Sequence, residues 1–134
     1  MSTRVEDEAQ LRDLVVRFAY HVDDDSGLDR AVALFTEDGV WEMGGREQVG
    51  HDAVRACLQQ ARDAGFSGPD AGTRHLLTNL LVEARDGTAT GLSQWLLIAP
   101  APAGQAPLLR GVGGYRDTYR KVGGRWLIAH RAVT

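Results

Sequence analysis

Between residues 6 and 22, Leu11, Leu14, Val15, Phe18 and Val22 recur at helical spacing, while Glu8, Arg12, Asp13 and Arg17 fall on other faces. That pattern predicts an amphipathic helix with one buried side. The run Asp23, Asp24, Asp25, Ser26, Gly27 breaks it, and residues 28–35 predict a shorter second helix carrying Leu28, Val32, Leu34 and Phe35 on its apolar side. Residues 40–43 read as a strand, Gly44 and Gly45 as a turn, and 47–49 as a short return strand. A third helix is expected over 52–64, where Val54, Cys57, Leu58 and Ala61 line one side before Gly65 ends it.

The second half changes period. After a loop at 67–72, strand-like stretches cover 73–84, 88–99, 109–121 and 125–133. Asp86-Gly87 and Gly123-Gly124 stand where tight hairpin turns are needed, because such pairs adopt positive φ readily. The prediction is an antiparallel meander, with residues 100–107, rich in Ala, Pro and Gly, as its longest connection.

Composition narrows the class. A chain of 134 residues with 43% hydrophobic and 25% charged residues suits one globular domain over 1–134. Fifteen basic and eighteen acidic residues give a net charge of -3, and no basic cluster extends beyond Arg120-Lys121, so nucleic acid is not an expected partner. The longest apolar run is too short to cross a membrane and the N-terminus has no apolar leader core, so a cytoplasmic protein is expected. The single cysteine, Cys57, fits a reducing compartment. His21, His51, His75 and His130 show no metal-binding spacing among themselves, so no metal and no cofactor are expected.

The order of elements, together with Phe18-Ala19 before Asp23, the stretch Leu34-Phe35-Thr36-Glu37-Asp38-Gly39-Val40-Trp41, Gly50, Thr73-Arg74-His75 with Asn79, Gly114-Tyr115-Arg116-Asp117 and the stretch from Trp126 to Arg131, resembles the SnoaL-like branch of the NTF2-like superfamily. The resemblance spans nearly the whole chain. It implies an α+β fold, an NTF2-like cone in which a strongly curved antiparallel sheet and three helices of the N-terminal half enclose an apolar pocket. Relatives of this kind include polyketide cyclases, dehydratases and ketosteroid isomerases, and such domains commonly pair as homodimers through the sheet's convex side.

In dehydratases of this type a pocket acid near the end of the first helix works with a histidine at the start of the first long strand, and Asp23 and His75 match those positions. A carboxylate can fix an imidazole in one tautomer, and histidine exchanges protons near neutral pH. Asp23 also reads as one member of a solvated acidic turn, with Asp25 as the reserve carboxylate and His21 at the pocket rim; His75 also reads as a half-buried histidine bonded to backbone or solvent. Strand alternation places His75, Leu77 and Asn79 on one face. Phe18, Trp41, Asn79, Trp95, Tyr115 and Asp117 are the candidate substrate contacts, with core packing the simpler account of the aromatic ones. The branch often carries Tyr where this chain has Phe18, which removes one hydroxyl donor from the implied pocket. Two functions follow from the resemblance. One is a cofactor-independent lyase, isomerase or cyclase acting on a hydrophobic cyclic metabolite. The other is a non-catalytic small-molecule-binding or dimerisation module.

Overall fold

The computed structural model describes residues 2–25 and 27–134; Ser26, part of the expected break after the first helix, lies outside them. The first helix, α1 (Arg4–Asp23), starts at a reciprocal cap: Thr3 Oγ1 accepts from the Glu6 N–H at 3.1 Å, and the Thr3 N–H donates to Glu6 Oε2 at 2.8 Å. Two of the N–H groups that a helix start leaves unpaired are thereby satisfied. Leu11, Leu14, Val15, Phe18, Ala19 and Val22 are all buried along α1. Full burial of a side chain such as Phe18 stabilises by about 1.5–3 kcal/mol.

The second helix, α2 (Leu28–Val32), is shorter than the pattern suggested. Leu34 and Phe35 leave it and join the sheet: the Ile128 N–H donates to Leu34 O at 2.8 Å, and Phe35 opens β1 (Phe35–Met43). The remaining elements are β2 (Arg46–Val49), α3 (His51–Asp63), β3 (Arg74–Arg85), β4 (Thr88–Ala99), β5 (Leu108–Val122) and β6 (Arg125–Val133). Asp86-Gly87 and Gly123-Gly124 do form the hairpin turns, all four residues at positive φ.

The six strands are ordered β2-β1-β6-β5-β4-β3. Three hairpins bring β6 back beside β1 in the same direction, so β1 and β6 pair in parallel while all other pairs are antiparallel. The expected strongly curved, wholly antiparallel cone is therefore corrected on two counts. The sheet is mixed, and it is open rather than barrel-like, with β2 and β3 as unpaired edges. α1 packs across β3 and α3 against β1, so the helices cover one face, here called inner.

Of the four register shifts in the sheet, two decide where the site residues of β3 and β6 point. A register shift between Leu77 and Asn79 inserts Thr78 as an extra residue, and a second shift in β6 inserts Ala129. Each bulge reverses the alternation beyond it. Arg131 consequently points inward and His130 outward, and Asn79 faces outward beside Gln94.

Candidate active site

α1 ends at Asp23, after which Asp24 is extended. Arg62 of α3 secures this end, its Nη2 donating to the carbonyls of His21, Val22 and Asp24 at 3.2, 3.2 and 3.1 Å. A cation there satisfies the helix's orphan carbonyls and complements its dipole. Nothing in the sequence distinguished Arg62 from the other charged residues of its helix.

Asp23 is thereby aimed at the first residues of β3. Its Oδ2 accepts from the His75 N–H at 2.6 Å and its Oδ1 lies 2.8 Å from His75 Nδ1. Both side chains are 14% exposed. An ionised carboxylate only accepts, so Nδ1 carries the proton of the neutral ring and Nε2 holds the free lone pair. The sequence left Asp23 and Asp25 open; the structure joins Asp23 to His75 and leaves Asp25 exposed beyond the helix end. His21 is half-buried, 3.7 Å from Asp24 Oδ2, and does not line the cavity described next.

His75 stands at the wall of a cavity of about 440 Å³ on the inner face, shared with Phe18, Trp41, Trp95, Leu97 and Tyr115. The aromatic rings form a continuous wall: His75 to Trp95 at 5.2 Å, Trp95 to Tyr115 at 6.2 Å, Tyr115 to Trp41 at 6.3 Å and Trp41 to Phe18 at 6.0 Å. Gly113 gives Trp95 its place, because any Cβ there would collide with the indole. On its other side His75 borders a cleft of about 710 Å³ that also includes Asp23, Tyr20 and Thr73. The pair therefore bridges an apolar cavity and a more polar cleft. A third groove, about 620 Å³ on the outer face, has no acid-base pair in its lining.

Tyr115 lines the cavity, and its hydroxyl makes no hydrogen bond to the described residues. Burial pushes the phenol up to about 12, so it remains a neutral donor at physiological pH. Beneath its ring, at 3.8 Å, lies the guanidinium of the fully buried Arg131, which also sits 4.5 Å from the Phe18 ring. Asp117 holds Arg131 through two bonds of 2.8 Å and accepts a third, at 2.7 Å, from Tyr119 Oη. Burial alone would lower the Arg131 pKa, but the Asp117 carboxylate more than offsets this and keeps it above its ordinary value.

The site residues read from sequence thus separate. Phe18, Trp41, Trp95 and Tyr115 meet at the cavity with His75. Asp117 is a buried ion-pair partner outside the lining, and Asn79, displaced by the Thr78 bulge, is exposed and bonded to Gln94. Arg131 was missed, since strict alternation from Trp126 and Ile128 points to His130 as the inward residue.

Comparison with known proteins agrees with this architecture. No curated protein matches the chain significantly. Among solved structures, Rv3472 from Mycobacterium tuberculosis, of unknown function, is 28% identical with a TM-score of 0.79, covering 96% of this chain and 70% of that one. A protein of unknown function with a cystatin-like fold from Nostoc punctiforme is 21% identical with a TM-score of 0.83, covering 99% and 93%. A candidate scytalone dehydratase from Novosphingobium aromaticivorans is 23% identical with a TM-score of 0.74, covering 96% and 83%. No helix among the described residues is long and apolar enough to cross a membrane. The model of the SnoaL-like domain family matches residues 3–132, and the chain belongs to that family.

Proposed function

We propose that this chain is a small cofactor-independent enzyme that moves protons on a hydrophobic cyclic metabolite, catalysing dehydration, isomerisation or cyclisation. The observation that carries the reading is the double grip of Asp23 on His75, which leaves Nε2 without a partner among the described residues at an aromatic cavity. The relative described as a candidate scytalone dehydratase has the same fold and points the same way.

In this reading His75 Nε2 takes a proton from a carbon beside a carbonyl. The electron pair of that C–H bond becomes a C=C bond, and the carbonyl pair moves onto oxygen, which accepts a hydrogen bond from the Tyr115 hydroxyl. The imidazolium, stabilised by Asp23, then returns the proton to another carbon or to a departing hydroxyl. Phe18 supplies shape and no donor, so Tyr115 takes over the oxygen-holding role. Exposed Leu76, Leu81, Leu92 and Val112 make the outer sheet face the surface through which we propose homodimer formation.

The test screens polycyclic and terpenoid ketones for loss of deuterium beside the carbonyl. His75→Gln and Asp23→Asn should each slow exchange by about 10²–10⁴-fold. Undiminished exchange in both folded variants sinks the mechanism. Ligand binding without exchange in the wild-type protein supports the binding-module reading instead.

A further inference from the structure

On the outer face, strands distant in sequence bring metal-donor side chains together. Glu42 on β1 and Glu47 on β2 are direct cross-strand partners, and His130 on β6 lies beside them, the three donor atoms within 4.8 Å of one another. Like charges directly opposed across a strand pair are destabilising. His130 Nε2 is 3.3 Å from Glu42 Oε1 without the alignment of a hydrogen bond; the ring is 36% exposed, but this nitrogen is turned away from solvent and has no hydrogen-bond partner among the described residues. A nitrogen in that condition carries a desolvation cost that the misaligned Glu42 carboxylate offsets only in part.

One ligand answers both features. A divalent cation would neutralise the opposed carboxylates and accept the lone pair of a neutral imidazole. We propose that Glu42, Glu47 and His130 form a binding site for a transition-metal dication of the Zn²⁺ type, with Nε2 and one oxygen from each carboxylate as ligands. The mixed nitrogen and oxygen donor set favours Zn²⁺ or Co²⁺ over Mg²⁺ or Ca²⁺, which take oxygen ligands. Three protein ligands leave a position open for water or an exogenous donor. The ligands come from β2, β1 and β6, so the ion fastens the edge strand β2 to its neighbours. The site faces away from the His75 cavity and is independent of the proton chemistry proposed above.

The experiment uses the full chain after chelator treatment and dialysis. Zn²⁺ and Mg²⁺ are titrated calorimetrically, and Co²⁺ is followed by its visible absorption. The expected result is one Zn²⁺ per chain at a Kd of about 10 µM or tighter, with Mg²⁺ at least about 100-fold weaker. Glu47→Gln and His130→Asn should each weaken Zn²⁺ by at least about tenfold and remove the Co²⁺ spectrum, while Glu83→Gln, on the far edge strand, should change neither. Zn²⁺ that fails to saturate below about 100 µM overturns the site. So does Zn²⁺ binding that survives both substitutions unweakened. If His130→Asn does not fold, the exposed Glu47 carries the decision.

Discussion

Asp23 meets His75 through two hydrogen bonds on the inner face of the sheet, whereas Glu42 meets His130 on the outer face at 3.3 Å without hydrogen-bond alignment. Both are carboxylate-imidazole pairs, yet their surroundings differ. Asp23 sits at a helix end fixed by Arg62, and its oxygens reach both a ring nitrogen and a backbone N–H. Glu42 faces a second carboxylate, Glu47, and no donor completes its shell among the described residues. The inner pair is organised by protein alone and suits a group that must stay in one tautomer. The outer pair is organised only when a cation is added.

The comparison breaks first if inner-face polar groups are not held by their partners. Asp117→Ala removes every acceptor that the described residues offer the fully buried Arg131, and the one acceptor they offer Tyr119 Oη. Stripping one partner from a buried ion pair costs about 3–5 kcal/mol. Urea denaturation should show that loss, with the cavity collapsing because Arg131 underlies Tyr115 and Phe18. A loss under about 1 kcal/mol would mean that the inner face is no better fixed than the outer.

How far the sequence discloses these two faces depends on bulges. The helical periods of α1 and α3, the meander and the Asp-Gly and Gly-Gly turns are local patterns and were readable. Trp41, Trp95 and Tyr115 were legible as strand aromatics because the register is regular immediately around each of them, the shifts in β1 and in the β4–β5 pair lying beyond. Alternation breaks at Thr78 and Ala129: Asn79, expected on the face of His75 and Leu77, lies on the other, and beyond Ile128 the bulge turns Arg131 inward, which no local pattern discloses. The parallel pairing of β1 with β6 and the gathering of Glu42, Glu47 and His130 are long-range outcomes of topology, which spacing between histidines cannot report.

A smaller effect separates held from unheld carboxylates by acid titration. Asp7 accepts from Ser2 Oγ at 2.6 Å, Trp126 Nε1 at 3.0 Å and Lys121 Nζ at 3.0 Å, and these bonds hold its pKa down to about 2 from an ordinary 3.8. A carboxylate depressed in the folded state binds its proton more readily when unfolded. Its contribution is therefore full above the ordinary value and is lost as pH falls from 3.8 towards about 2. Asp7→Asn should flatten the stability profile across that window and leave its shape near neutral pH unchanged. A profile with the wild-type slope below pH 4 would show that Asp7 is not held in this way.

The smallest effect is opposite in sign and bears on the outer pair directly. Glu47 is exposed, makes no hydrogen bond to the described residues and stands across from Glu42, so in metal-free protein Glu47→Gln removes a like-charge opposition and little else. Thermal unfolding in chelator should show the variant equal to or more stable than wild type, by no more than about 1 kcal/mol. The Asp117→Ala loss and the Glu47→Gln gain are then read on one scale. With Zn²⁺ added the order should reverse, because a ligand that binds only the folded state stabilises wild type in proportion to its affinity. A variant less stable than wild type in chelator would mean that Glu47 serves the metal-free sheet, and the two faces would then differ less than their geometry indicates.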